Sequence, residues 1–244
     1  MSYIEKSISI FGTELQFLQA FINAITAADS RITCTTDLAK LAAQFNGNDT
    51  SIKPTFELSV HGICTITFTR DFYNNDTGNS YYITSPIFNG SISVYFSSNY
   101  ARSNEKRTRT WKFSVMTNDE NIYLKLARYD GNLNSPVIKF LSVKINNISA
   151  CAYGTDSTSI MSSNFVSTGG QVYTKINRLP YTYNAADLTK LEVIKSKVFV
   201  ENSTTNRAFE TSKIIDSTIV IPDQVISINS VKYYALDSNT LMEI

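Results

Sequence analysis

Apolar residues in the first fifty positions recur at helical spacing, and from about residue 54 they recur at every second position. Thr13 opens the first expected helix. Thr13-Glu14-Leu15-Gln16 fits a capping box, in which the Thr hydroxyl and the Gln amide each take a backbone N–H that the first turn leaves over. Behind it Leu15, Leu18, Ile22 and Ile25, with Phe17 and Phe21, form a broad apolar stripe. A strand is expected near Arg31–Thr35. A second helix follows, with Leu38, Leu41, Ala42 and Phe45 on one face and Asn46-Gly47 as its stop. The first stripe has two readings: plain core, or an assembly surface at Leu15, Leu18, Ile22 and Ile25 that docks on a neighbouring subunit.

Further along, Phe56, Leu58 and Val60 alternate, His61-Gly62 shifts the phase, and Cys64, Ile66 and Phe68 continue. That shift reads as a β-bulge inside one long strand. Asp71 to Ser80 is dense in turn residues, but its carboxylates lack the spacing of a calcium loop. Strands are expected at Ile92/Val94/Phe96, Trp111/Phe113/Val115, Ile122/Leu124/Leu126 and Leu141/Val143/Ile145, each with one apolar and one polar face. Near the end, a helix from Ala185 with Asn184 as N-cap carries Leu188, Leu191 and Ile194, and a strand is expected at Val198–Val200. Ile228 and Val231 flank a two-residue turn, Asn229-Ser230, so residues whose numbers sum to 459 should face each other. The fold class read from this pattern is mainly β with short helices (α+β), with an antiparallel sheet or sandwich core. Residues 1–50 form an N-terminal helical segment and 51–153 an antiparallel β domain. Residues 154–171, rich in Ser, Thr and Gly, form a linker, and 172–244 a small α+β unit with the hairpin.

Composition narrows the chemistry. Ser, Thr and Asn make up close to a third of the 244 residues, which suits strands joined by polar turns. A formal net charge of +1 gives no general ground for a nucleic-acid partner. No apolar run approaches 18 residues and no cationic leader precedes one, so neither membrane insertion nor an export signal is expected. One histidine and three widely spaced cysteines offer no CxxC or HxxxH pair, and neither a metal nor a cofactor is expected. His61 and Cys64 on one strand would lie on opposite faces, which argues against a nucleophile–base pair. An odd number of cysteines fits a reducing cytoplasm. No phosphate-binding loop or nucleophile elbow is present, and no catalytic residue is assigned. The basic segment Ala101–Thr110 carries Arg102, Lys106, Arg107 and Arg109 against Glu105 alone. It reads either as a solvated hairpin tip or as a polar or glycan contact.

Two stretches carry a resemblance. Thr218-Ile-Val-Ile-Pro-Asp-Gln-Val-Ile-Ser-Ile-Asn-Ser-Val-Lys-Tyr-Tyr-Ala-Leu-Asp-Ser-Asn-Thr-Leu-Met-Glu-Ile244 and Leu179-Pro-Tyr-Thr-Tyr-Asn-Ala-Ala-Asp-Leu-Thr-Lys-Leu-Glu-Val-Ile-Lys195 resemble virion structural proteins of phages and prophages of low-GC Firmicutes. The resemblance spans about the last 65 residues and transfers no functional residue. It implies a non-enzymatic component of the tail or baseplate region, made in the host bacterial cytoplasm. Its partners would be copies of itself and other virion proteins. The alternative is a carbohydrate- or receptor-binding β domain of a tail tip, with a surface glycan as partner and Tyr and Trp111 as stacking platforms. A two-carboxylate glycan hydrolase is a third reading, with no pair of residues singled out.

Overall fold

A computed structural model describes residues 2–46, 54–62, 64–71, 80–84, 92–95, 106–127, 137–145, 148–155, 165–167, 172–176, 195–201, 208–216, 220–238 and 240–244. The protein is mainly β with two short helices among these residues, as the alternation predicts. Contacts divide it into two compact units. The amino-terminal unit comprises Ile4–Val115 and Leu124–Ile138. The carboxy-terminal unit comprises Met1–Tyr3, Met116–Tyr123 and Lys139–Ile244. This division does not follow the expected boundaries at 50, 153 and 171, because strands distant in sequence pair and pull their segments together.

The first strand, β1 (Ser2–Gly12), precedes the first expected helix and is absent from the sequence reading, which placed residues 1–50 in an N-terminal helical segment with a strand near Arg31–Thr35. It precedes α1 (Glu14–Thr26), β2 (Ile32–Cys34) and α2 (Leu38–Asn46). The capping box of α1 forms as expected: Gln16 N donates to Thr13 Oγ1 at 3.3 Å and Thr13 N donates to Gln16 Oε1 at 2.9 Å. Gly12 leaves the space this needs, since a Cβ there would meet Gln16 Oε1 at 2.7 Å.

Next come β3 (Thr55–Val60), β4 (Cys64–Asp71), β5 (Ser80–Thr84) and β6 (Ile92–Tyr95). They form an antiparallel sheet in the order β2-β3-β4-β5-β6. The expected bulge at His61-Gly62 is a chain reversal instead. Val60 pairs with Cys64, and His61 and Gly62 take φ of 62° and 67°, the left-handed region that lets the chain turn back. A bulge and a tight hairpin both shift the apolar phase, so periodicity alone does not separate them. Phe96, the segment between Asp71 and Ser80, and the expected helix at 184–194 lie outside the described residues.

The core of this unit is aromatic. Phe21 stacks on Trp111 with ring centres 4.5 Å apart, Phe56 stacks on Phe68 at 4.5 Å, and Phe21–Phe113 and Phe68–Trp111 meet edge to face. Trp111 and Phe113 come from β7 (Arg107–Thr117), which follows β1 in the sheet order, ahead of β8 (Asn121–Ala127). Side-chain hydrogen bonds Ser2–Thr117 and Ser9–Thr110, both at 2.8 Å, share the sum 119 and mark β1 and β7 as antiparallel.

The carboxy-terminal unit continues through β9 (Ile138–Ile145), β10 (Ile148–Thr155), β11 (Phe165–Ser167), β12 (Val172–Ile176), β13 (Lys195–Glu201) and β14 (Ala208–Asp216). It closes with β15 (Val225–Ile228), β16 (Val231–Asp237) and β17 (Thr240–Glu243). The sheet order is β9-β10-β11-β12-β13-β14-β17-β16-β15. The expected linker at 154–171 therefore contains part of β10 and all of β11, which pairs with β10 and β12. Ser, Thr and Gly read there as flexibility, but Phe165 and Val166 supply strand residues. The expected wet face is also missing along much of β7–β9. Ser114, Met116, Tyr123 and Ser142 are buried alongside their apolar neighbours, because Met116, Tyr123, Leu141 and Val143 join a cluster with Ile214, Tyr234, Leu236 and Met242.

The C-terminal hairpin forms in the expected register. Val225–Tyr234, Ile226–Tyr233, Ser227–Lys232 and Ile228–Val231 all sum to 459. Asn229 and Ser230 take φ of 49° and 67°, the two positive values of a type I′ turn. Ile226, Ile228 and Tyr233 pack against Ile215, Val220, Ala235 and Leu241.

Candidate functional site

The stripe read as an assembly surface is core. Leu18 and Ile25 are fully buried and Ile22 nearly so, while Leu15 is half-buried. The stripe closes on the aromatic cluster of its own unit, so it leaves no apolar face for a neighbour. Ahead of it, Glu14 is also fully buried, and its Oε1 accepts a hydrogen bond from Arg70 Nε at 3.0 Å. The carboxylate enters the interior at the first turn of α1, and β4 delivers the arginine. Two buried charges stay in low dielectric only as a bonded pair.

The basic segment is taken apart by the fold. Lys106 is exposed and Arg107 begins β7, whereas Arg102 lies outside the described residues. Arg109 is fully buried, and its Nη1 donates to the Gly12 carbonyl at the end of β1. It therefore cannot touch a glycan or any other external polymer. Charge counting missed this because β7 extends to residue 107, and every second residue on a strand points to the same side.

His61 and Cys64 do not form a catalytic pair across one strand, since the chain turns between them. The His61 N–H donates to the Arg31 carbonyl at 2.9 Å, and the ring Nε2 lies 3.3 Å from Arg31 Nη1. The guanidinium has only hydrogens to give, so that nitrogen accepts. Asp29 holds Arg31 from the other side at 2.8 Å. Cys34 donates to the Thr36 carbonyl, and burial pushes its thiol pKa up, which makes it a poor nucleophile. Among the described residues no group of three or more His, Cys, Asp or Glu is placed to hold a metal ion.

One cluster escaped the sequence reading. In the carboxy-terminal unit, Tyr3 stacks on Tyr234 with ring centres 6.0 Å apart, and Tyr123 tilts against Tyr234 at 5.5 Å. The Tyr234 hydroxyl donates to Asp223 Oδ1 at 2.8 Å, and Asp223 takes a positive φ of 64° on the turn before β15. Burial raises the phenol pKa of all three tyrosines, most of all Tyr123 and Tyr234, with Asp223 adding to the effect. These phenols stay neutral at physiological pH; Tyr234 donates a hydrogen bond, and the three rings pack on one another. The three rings come from residues 3, 123 and 234, so no local spacing reveals them.

At the surface, the exposed large apolar side chains among the described residues are Tyr3, Phe11, Ile221 and Val225. Phe11 is 72% exposed and Ile221 66%. Two lie on β1 and two on or beside β15, and these strands stand at the ends of the sheet order. The chain matches no protein-family model, and no curated protein matches it in sequence.

Proposed function

We propose that this chain is a non-enzymatic structural component of a bacteriophage or phage-tail-like particle, in the tail or baseplate region, acting by subunit assembly. The observation that carries the reading is the run Thr218–Ile244, whose residues resemble the ending of such virion proteins. It is supported by the form that run takes: an antiparallel β15–β16–β17 element, with Ile221 and Val225 on its surface beside a terminal strand. Chemistry of this kind is shape, strand pairing and small apolar contacts between subunits. Copies of itself and other virion proteins are the partners, and synthesis is in the bacterial cytoplasm. A carbohydrate- or receptor-binding role at a tail tip is the second reading, favoured by the partly exposed Tyr3 ring stacked on Tyr234.

Immunogold labelling tests both. An antibody to this chain is applied to particles released by lysis of the producing bacterium. Gold in a ring at the tail end is expected, gold confined to the distal tip selects the second reading, and unlabelled particles overturn both.

A further inference from the structure

β1 lies beside an open groove of about 430 Å³. Lys6, Ser7, Ile8, Ser9 and Ile10 form one wall, and Ala20, Asn23 and Ala24 of α1, with Ala27 at its C-cap, form the other. Among the described residues β7 is the one sheet neighbour of β1. An edge strand of eleven residues presents a row of backbone donors and acceptors to whatever strand lies alongside it.

The sequence of that edge is self-complementary. Ser2–Gly12 has Ser7 at its midpoint, so an antiparallel copy in the register whose numbers sum to 14 pairs the whole strand. That register sets Tyr3 against Phe11, Ile4 against Ile10, Glu5 against Ser9, Lys6 against Ile8, and Ser7 against itself. Aromatic and β-branched cross-strand pairs are the favourable kind. Shifting the sum to 12 would put Lys6 opposite Lys6, and shifting it to 16 would put Glu5 opposite Phe11. An even sum also keeps the buried Ile8 face of both copies on one side of the joined sheet. The groove-lining sides of the two α1 helices then face each other, with Asn23 the one lining side chain of the helix that reaches beyond Cβ.

We propose that β1 pairs with β1 of a second copy of this chain across a two-fold axis at Ser7, making a closed dimer through a continuous sheet. This deepens the assembly reading and rests on it. The contact is isologous, so it ends at two subunits.

Sedimentation of the full chain and a cysteine pair of variants test it. The two Ser7 Cα atoms would lie about 4.5–5.5 Å apart, within disulfide range. Two Ser9 residues would be four positions apart along the strands, about 14 Å, and out of range. The wild type should sediment as a dimer. Under glutathione disulfide, Ser7→Cys should become a reducible covalent dimer, while Ser9→Cys should stay at the wild-type background set by Cys34, Cys64 and Cys151. A monomer, an open-ended series of sizes, or equal cross-linking of the two variants would overturn the pairing. The gold-labelling result is independent: a labelled tail with a monomeric chain removes the strand pairing and leaves the virion reading. A dimer with unlabelled particles removes the virion reading instead.

Discussion

The two units solve the problem of buried polarity in different ways. The amino-terminal unit builds its interior from Phe17, Phe21, Phe56, Phe68, Trp111 and Phe113 and admits full charges, Glu14 with Arg70 and the guanidinium of Arg109. Its carboxy-terminal counterpart admits neutral groups: the phenols of Tyr123 and Tyr234, and the amides of Asn118 and Asn121. There Asn118 Oδ1 takes hydrogen bonds from the backbone N–H of Glu120 and of Asn121, and its Nδ2 donates to the Glu243 carbonyl at 2.7 Å. A buried charge is intolerant, because removing its partner strands it in low dielectric. A buried hydroxyl is forgiving near neutral pH and becomes a liability only when it must ionise.

The largest effect should come from separating the charges. Arg70→Met keeps most of the volume and strands the Glu14 carboxylate, and should cost about 3–5 kcal/mol in urea unfolding. The double variant Glu14→Gln/Arg70→Met should recover much of that. A cost confined to a few tenths of a kcal/mol would show that the pair is not the constraint it appears in the fold.

Alkali should single out the other unit. A phenol whose pKa is raised on folding holds its proton more tightly in the folded state, so its contribution is complete below about pH 10. It is lost as the pH climbs from there toward the raised value, at about 1.4 kcal/mol per pH unit for each of the buried phenols Tyr123 and Tyr234. The urea midpoint should therefore hold steady from pH 8 to about 9.5 and fall above pH 10. Tyr123→Phe should make the fall shallower, and should cost little at pH 8, since the Tyr123 hydroxyl has no hydrogen-bond partner among the described residues. A Tyr123→Phe slope identical to wild type would contradict this.

The smallest effect belongs to the turn. Ser230 sits at φ 67°, where a Cβ is strained and glycine is not. Ser230→Gly should raise stability by a few tenths to about 1 kcal/mol, read as a higher thermal midpoint. A lower midpoint would mean that the unfolded-state entropy of glycine outweighs the strain.

What the sequence revealed was local. The capping box at Thr13-Gln16 and the hairpin at Asn229-Ser230 are each closed by residues three or so apart, and both form as read. The reversal at His61-Gly62, read as a bulge, is a local error; other errors involve partners distant along the chain. For Leu18, Ile22 and Ile25 the spacing left core and docking surface both open, and their burial settles on core. Arg109 looked solvated because Gly12, its acceptor, is 97 residues away. The alternation of Ile4, Ile8 and Ile10 was the available sign of β1, and Lys6 among them obscured it. The tyrosine cluster and the groove beside β1 had no local signature at all.

The distance between β1 and its neighbour also sets an order of events on the ribosome. Ser9 bonds Thr110, 101 residues later, and Ser2 bonds Thr117, 115 residues later. At about 5–20 residues per second, β1 leaves the exit tunnel some 5–20 s before β7 exists to pair with it. The hairpins β3–β4 and β15–β16, by contrast, have both strands available almost as soon as their turns emerge. For that interval β1 is a nascent strand with both edges open, on a polysome where identical chains trail one another. Its first encounter with a β partner is thus a kinetic competition, between the rest of its own chain and the chain being made behind it.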